Sequence, residues 1–381
     1  MGVELSQSGE QDVGNSQLTV RLSQNEIVPL RKSLLAWYDK NRRDLPWRRT
    51  KDPYAIWISE IMLQQTRVAA VEERYQAFLR SFPTVEALAH ADEASILAQW
   101  SGLGYYRRAR MLHKAAKVVV EEDHGKMPST AAALRKLPGI GAYTSAAVAS
   151  IAFGEPTAVV DGNVERVVQR LAGWGSDSGE GQAKLARDTE AMAQAILDPT
   201  RPGDFNQAMM ELGATVCLPR GPKCLVCPLR KPCQTRGEHP VTPRARMRSE
   251  DAAYALVVRS IHKNREVLLD QRGPEQTVMP GMWELPALRD SAVAGDQLRM
   301  AVRHAIMQVN YYVRIRTVFE EDAEALTVPS QNRHWVRLHD LAALPLTGLA
   351  RKVLLRADLP ELATNPQWRR SSIERPASKN Q

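Results

Sequence analysis

All four cysteines of the chain fall within residues 217–233, CLPRGPKCLVCPLRKPC, spaced C-x6-C-x2-C-x5-C. Four thiols in so short a loop point to one metal centre wrapped by a single segment. Softness alone does not choose between zinc and an iron–sulfur cluster, since both accept four thiolates. The spacing lacks the paired C-x2-C knuckles of zinc ribbons, and a structural zinc loop stays open as the alternative. Arg220, Lys223, Arg230 and Lys231 stand between the cysteines with no acidic residue among them, so the loop presents positive charge outward. A solvated loop would do the same, whereas one facing phosphates would need it.

The whole chain carries a formal charge of +8, which favours an acidic polymer as partner. Its 381 residues leave room for two or three domains, and 44% apolar residues suffice for real cores. No run approaches a membrane span, and MGVELSQSGEQDVGNSQ has neither the basic flank nor the apolar stretch of a signal peptide. The expectation is a protein of the reducing cytoplasm, associated with the nucleoid, without membrane contact and monomeric.

Residues 1–24 form a polar lead expected to be disordered, and 25–235 read as helical. Residues 236–250 are charged and contain proline, as a linker would. From 251 to 360 the texture changes: AYALVVRS, the polar turn IHKNRE and VLLDQR predict a hairpin, and DQLRMAVRHAIM a helix. Residues 361–381 are a polar tail.

Three stretches of the helical part carry candidate chemistry. DPYAIWISEIMLQQTRVAAVEERYQAFL is apolar nearly all round, as a buried helix is, with Glu60 at its middle. A desolvated carboxylate has a raised pKa and can serve as a general acid near neutral pH; a carboxylate facing solvent or an arginine does not. STAAALRKLPGIGAYTSAAVASIAFG places Gly139 and Gly141 in a tight turn between two helices of small residues. Backbone N–H groups at such a helix start can grip a phosphate, although an ordinary helical hairpin has a similar pattern. TAVVDGNVERVVQRL sets Asp161 just before a helix, where it is a good N-cap and can also face a cleft.

In this order, SEIMLQQTRV, GLGYYRRARMLH, LPGIGAYT, VVDGNVERV, FNQAMMELGATVC and the cysteine loop resemble the helix-hairpin-helix DNA glycosylases that carry a four-cysteine iron–sulfur cluster. With RRDLPWR at 42–48 and PGMWELP further on, the resemblance narrows to the MutY-type adenine DNA glycosylases. It implies an all-α helix-hairpin-helix glycosylase core of two lobes with the site between them, a cluster loop, and a C-terminal α/β Nudix-like domain that reads the lesion. Cys217, Cys224, Cys227 and Cys233 would then hold a [4Fe-4S] cluster.

The activity implied is removal of adenine mispaired with 8-oxoguanine or guanine in double-stranded DNA, as part of base excision repair. Glu60 would protonate the adenine and position water, and Asp161 would stabilise the oxocarbenium ion at the sugar. Tyr143 and Asn163 would order the site. Arg43 and Glu211 match positions that hydrogen-bond the flipped adenine, Gln65 and Tyr105 match residues that wedge into the base stack, and Gly139 and Gly141 match the phosphate-gripping turn. Endonuclease III-like relatives, which act on oxidised pyrimidines and nick the strand, use a lysine where this chain has Tyr143; a tyrosine cannot form the imine. A non-catalytic iron–sulfur DNA-binding protein is the remaining alternative, opposed by the presence of both Glu60 and Asp161.

Two departures from the family stand out. Its Phe-Ser-His loop for 8-oxoguanine corresponds here to Ile306, Met307 and Gln308. Met307 has no hydroxyl, so a weaker preference for 8-oxoguanine over guanine is expected unless Gln308 supplies the hydrogen bond. The C-terminal domain also lacks the R-E-x-x-E-E core of a working Nudix site, which leaves metal ions without ligands and argues for a recognition module.

Overall fold

The computed structural model describes residues 22–174, 181–239, 247–262, 264–292, 298–306, 309–357 and 359–364. Residues 1–21 of the N-terminal lead and 365–381 of the tail lie outside them. Before the cysteine loop come helices α1 (Gln24–Asn41), α2 (Pro53–Leu63), α3 (Val68–Ser81), α4 (Val85–His90), α5 (Glu93–Gln99), α6 (Arg107–Glu122), α7 (Ala131–Leu134), α8 (Ala142–Phe153), α9 (Gly162–Ala172), α10 (Gln182–Ile196) and α11 (Pro202–Thr215). After it come β1 (Arg248–Ile261), β2 (Asn264–Gln271), β3 (Trp283–Glu284), β4 (Leu298–Ile306), β5 (Val309–Val318), α12 (Ala323–Leu326), β6 (Arg333–Arg337), α13 (Gly348–Leu354) and α14 (Pro360–Thr364). Among the described residues no helix is long and apolar enough to cross a membrane.

The chain divides into two compact units. One comprises Met1–Arg43 and Gly154–Val241, the other Asp44–Phe153 and Thr242–Gln381. In the first, α1, α9, α10 and α11 close around Leu34, Val167, Val168, Ile196, Phe205 and Leu212. Helix α9 starts at Asp161, whose side chain caps it, and stops at Gly173, whose φ of 72° lets the chain leave the helix without Cβ strain. Cys217, Cys227 and Cys233 pack against this same core, so the cysteine loop is seated on the unit's interior.

In the second unit α2 packs against α8. Every residue of α2 from Tyr54 to Met62 is buried, which accounts for its apolarity all round. Asp52 caps its first turn by accepting from the Tyr54 N–H at 3.0 Å, and Pro53 sits where a missing N–H costs nothing. The sequence expectation of one buried helix through this region is corrected: the chain breaks after Leu63 and resumes as α3. Helix α3 buries only the stripe Val71, Tyr75 and Phe78. Gln65, with φ of 55°, turns the chain at the break.

The same unit carries a mixed sheet in the order β3-β2-β1-β5-β4, with β6 on the side of β2. β1 and β5 run parallel, and the other pairs are antiparallel. β1 serves two cores at once: Leu256 faces one with Val313, Ile315 and Val353, while Ala255 and Val257 face the other with Leu268 and Leu288. The expected hairpin is present as β1–β2, closing with Ile261 opposite Asn264, tighter than the IHKNRE turn read from sequence. β1 begins at Arg248, within the stretch read as linker.

The helix expected over DQLRMAVRHAIM is corrected to strand β4, which pairs with β5 from Leu298 to Ile306. Its period is two rather than 3.6: Met300, Val302 and His304 are at least partly buried, while Ala301, Arg303 and Ala305 are exposed. Helix-favouring Leu, Met, Ala and Arg yield to cross-strand pairing. Within this unit the sheet is tied to the helices by the Tyr106 hydroxyl, which donates to the Leu346 carbonyl at 3.1 Å, and by Arg110 Nη2, which donates to the Pro280 carbonyl at 2.5 Å.

Glu284 on β3 is buried, and burial pushes its carboxyl up to about 7 against the opposing bonds from the Thr347 hydroxyl at 2.6 Å and the Leu285 N–H at 3.0 Å. A displacement of that size corresponds to about 3 kcal/mol. Because the folded state binds this proton more tightly than the unfolded chain, its contribution is complete below the ordinary carboxylate pKa and is lost as pH rises through about 7. Thermal melts should therefore show Glu284→Gln gaining stability relative to wild type as pH rises from about 5 to 8. A difference that is flat with pH would remove the proton from the account.

Candidate active site

In the second unit, Glu60 lies in the middle of α2 with 5% of its surface exposed. The Tyr143 hydroxyl, from the first turn of α8, donates to Glu60 Oε2 at 2.7 Å. One residue further, the Thr144 hydroxyl accepts from Gln64 Nε2 at 2.9 Å, so α2 and α8 are fixed by two side-chain bonds. The phenol thus fixes the orientation of a buried carboxyl group.

The turn before α8 departs from the ordinary. Gly139 has φ of 76°, and a Cβ there would sit 2.5 Å from Met111 Cβ, so both conformation and packing demand glycine. Nothing lies within 4 Å of a Cβ built on Gly141. That open side, at the start of a twelve-residue helix, is where a phosphate could approach backbone N–H groups.

Gln65 and Tyr105 are both exposed, Tyr105 to 51%, and both hold the left-handed conformation that non-glycine residues rarely adopt, with φ of 55° and 47°. Arg108, which sequence reasoning passed over, is half-buried and joins the turns that carry them. Its Nη1 donates to the carbonyls of Ile61, Met62 and Gln64 at 2.7, 2.9 and 2.5 Å. Its Nη2 donates to the Thr66 hydroxyl and the carbonyls of Leu103 and Gly104 at 3.0, 3.1 and 3.1 Å. Burial lowers its pKa to about 10, which leaves it charged at neutral pH.

In the first unit, Asp161 Oδ1 accepts from the N–H groups of Asn163 and Val164 at 2.9 and 2.7 Å. Asn163 Nδ2 donates to Oδ2 at 3.0 Å. Asn163 is in turn held by Arg166, whose guanidinium donates to Asn163 Oδ1 at 2.9 Å, to the Gly213 carbonyl at 2.8 Å and to the Cys217 carbonyl at 2.9 Å. A Cβ on Gly213 would come within 2.6 Å of Asn163 Cβ, so α11 and the start of α9 meet only because that position is glycine. Arg43 and Glu211 are joined to each other, Nε to Oε1 at 2.7 Å and Nη2 to Oε2 at 2.8 Å, with Glu211 only 1% exposed. The two groups matched to adenine recognition thus form a bidentate pair.

No disulfide joins the four cysteines, and all four line one cavity. Among the described residues no three cysteine, histidine or carboxylate side chains converge as the ligands of a single ion do. Four thiol donors on one cavity can hold either a zinc ion or an iron–sulfur cluster. Burial pushes the Cys227 thiol up to about 11, and the charges of the other three cysteines add to it. Arg170, itself buried, donates to Cys217 Sγ at 3.4 Å and to the carbonyls of Leu218 and Pro219 at 2.6 and 3.0 Å, bracing the loop from α9. Arg166 and Arg170 were not anticipated; their signal was a pair of arginines on the helix that buries Val164, Val167 and Leu171. Arg220, Lys223, Arg230 and Lys231 are all exposed. Of the three residues aligned with the lesion-reading loop, Met307 and Gln308 lie outside the described residues and Ile306 ends β4.

Residues 58–194 match the family described as HhH-GPD superfamily base excision DNA repair protein. The adenine DNA glycosylase of Homo sapiens is 48% identical over 220 residues, covering 55% of this chain and 40% of its own length. That of Mycolicibacterium smegmatis is 40% identical over 264 residues, covering 68% of this chain and 88% of its own. A solved thermostable thymine-DNA glycosylase superposes with a TM-score of 0.51 at 33% identity, covering 55% of this chain and 96% of that one. The chain spans less than half the length of the mammalian relatives it matches.

Proposed function

This chain belongs to the adenine DNA glycosylase family of HhH-GPD base excision repair proteins, and from that premise we propose that it hydrolyses the N-glycosidic bond of adenine mispaired with 8-oxoguanine or guanine in duplex DNA. The observation that carries the proposal is the buried Glu60 carboxyl aligned by the Tyr143 hydroxyl. Glu60 delivers a proton to the departing adenine and afterwards orients water. Asp161, kept in place by two backbone N–H groups and Asn163, supplies negative charge to the developing oxocarbenium ion. With Tyr143 where a lyase has its lysine, the product is an abasic site rather than a nick.

The Arg43–Glu211 pair gives adenine a planar set of donors and acceptors, and the glycine turn with the basic cysteine loop grips phosphates. Cys217, Cys224, Cys227 and Cys233 would hold a [4Fe-4S] cluster, which when bound rigidifies that loop and offers redox sensitivity. The C-terminal sheet acts as a Nudix-like recognition module, with Ile306, Met307 and Gln308 at the lesion-reading position.

Single-turnover assays on duplexes with adenine opposite 8-oxoguanine, guanine or thymine test the proposal. Strand breaks are expected only in the two mispairs and only after alkali; breaks without alkali would establish a lyase instead. The same preparation should be brown, with a broad absorption band that chelation of iron abolishes together with tight DNA binding. A colourless, fully active protein would dismiss the cluster.

A further inference from the structure

We propose that Arg108 is a positioning residue that sets the two stack-inserting turns as one preformed wedge, so that Gln65 and Tyr105 enter the duplex together. The inference rests on the glycosylase reading for what the wedge does, and on geometry alone for how it is built.

Each turn holds a residue in a conformation that its type disfavours. What the turns share is one guanidinium. Nη1 faces three carbonyls at the end of α2, and Nη2 faces Thr66 beside Gln65 and the carbonyls of Leu103 and Gly104 beside Tyr105. The cation also meets the negative end of the α2 macrodipole, where a positive charge is stabilising. Its carbon Cζ lies 5.6 Å from the Tyr105 ring centroid and 5.5 Å from that of Trp100. Trp100 Nε1 donates to the Gly104 carbonyl at 3.1 Å, and the Thr66 hydroxyl lies 3.2 Å from the Leu103 carbonyl, so the turns are cross-braced around the arginine.

Only a planar fork can serve both turns. Each terminal nitrogen of arginine carries two hydrogens and here faces three oxygens, whereas a lysine ammonium has three hydrogens on a single centre. Without the fork, the carbonyls of one turn lose their donors and that turn relaxes, which frees the other.

The test uses Arg108→Lys and Arg108→Met in the full chain. Hydrogen exchange without DNA should accelerate about tenfold or more in peptides over both 61–67 and 101–106, while α8 and α9 stay as protected as in wild type. Retained protection in either segment overturns the proposal. Single-turnover excision is then compared on adenine paired with 8-oxoguanine and on a bulged, unpaired adenine, which needs little unstacking. The loss on the paired substrate should exceed the loss on the bulge by about tenfold. Equal losses would assign Arg108 to general folding and overturn its role at the wedge. If wild type excises neither adenine, the glycosylase reading fails, and the exchange result still decides whether Arg108 couples the turns.

Discussion

Glu60→Gln should lose about 10²–10⁴-fold in single-turnover adenine excision while binding the mispair almost as wild type does. Glutamine keeps the length and shape of the side chain and can still accept from the Tyr143 hydroxyl, whose bond to Glu60 is 2.7 Å. What it cannot do is release a proton to a leaving base. Since Glu60 is buried among apolar residues of α2, the neutral amide should cost the fold little, and its melting temperature should stay near that of wild type. Binding is read by gel shift on a duplex with adenine opposite 8-oxoguanine, and turnover by alkaline cleavage. Excision within tenfold of wild type would falsify the assignment of the acid.

Asp161→Asn separates two roles that one side chain plays. As an N-cap, asparagine is as good as aspartate, so the bonds from the Asn163 and Val164 N–H groups persist. The charge is gone, together with the acceptor for Asn163 Nδ2, and the lost stabilisation of a cationic sugar should cost about 10²–10³-fold, the scale of a removed electrostatic partner. Asp161→Ala should lose activity similarly and also about 0.5–2 kcal/mol of stability through the vacated cap. Kinetics on the adenine mispair and thermal melts of the two variants give the comparison. Should the asparagine variant retain wild-type rates, Asp161 is a cap and nothing more.

Much of the site was legible because its chemistry is local. Asp161 caps the helix it precedes, so a short acidic residue before VERVVQRL announced its own geometry. Gly139 sits where φ is 76° and a Cβ would strike Met111, and its place between two helical segments marked the turn. Four cysteines within one loop can hardly avoid lining one cavity. The pairings found within each unit join residues far apart in sequence: Glu60 and Tyr143 are separated by 83 positions, Arg43 and Glu211 by 168. A resemblance could nominate those residues, but it did not reveal that Arg43 and Glu211 bond to each other, or that Arg166 links Asn163 to the cysteine loop.

The two corrections have one physical origin. Between Leu63 and Val68 no proline or glycine marks the end of α2; the break is stabilised by Arg108, over forty positions away. In β4, residues with good helix propensity became a strand because β5 offers a ladder and α13 covers one face, a gain that outweighs the few tenths of a kcal/mol per residue that propensity supplies. What the sequence alone determined was therefore what short-range sterics and spacing dictate: the helical core, the Asp161 cap, the glycine turn and the gathering of four cysteines in one loop. Tertiary structure alone decided where the chain breaks against its own propensity, which charges are paired, and which arginines brace the turns, because each depends on burying a polar group beside a partner that only the folded chain brings near.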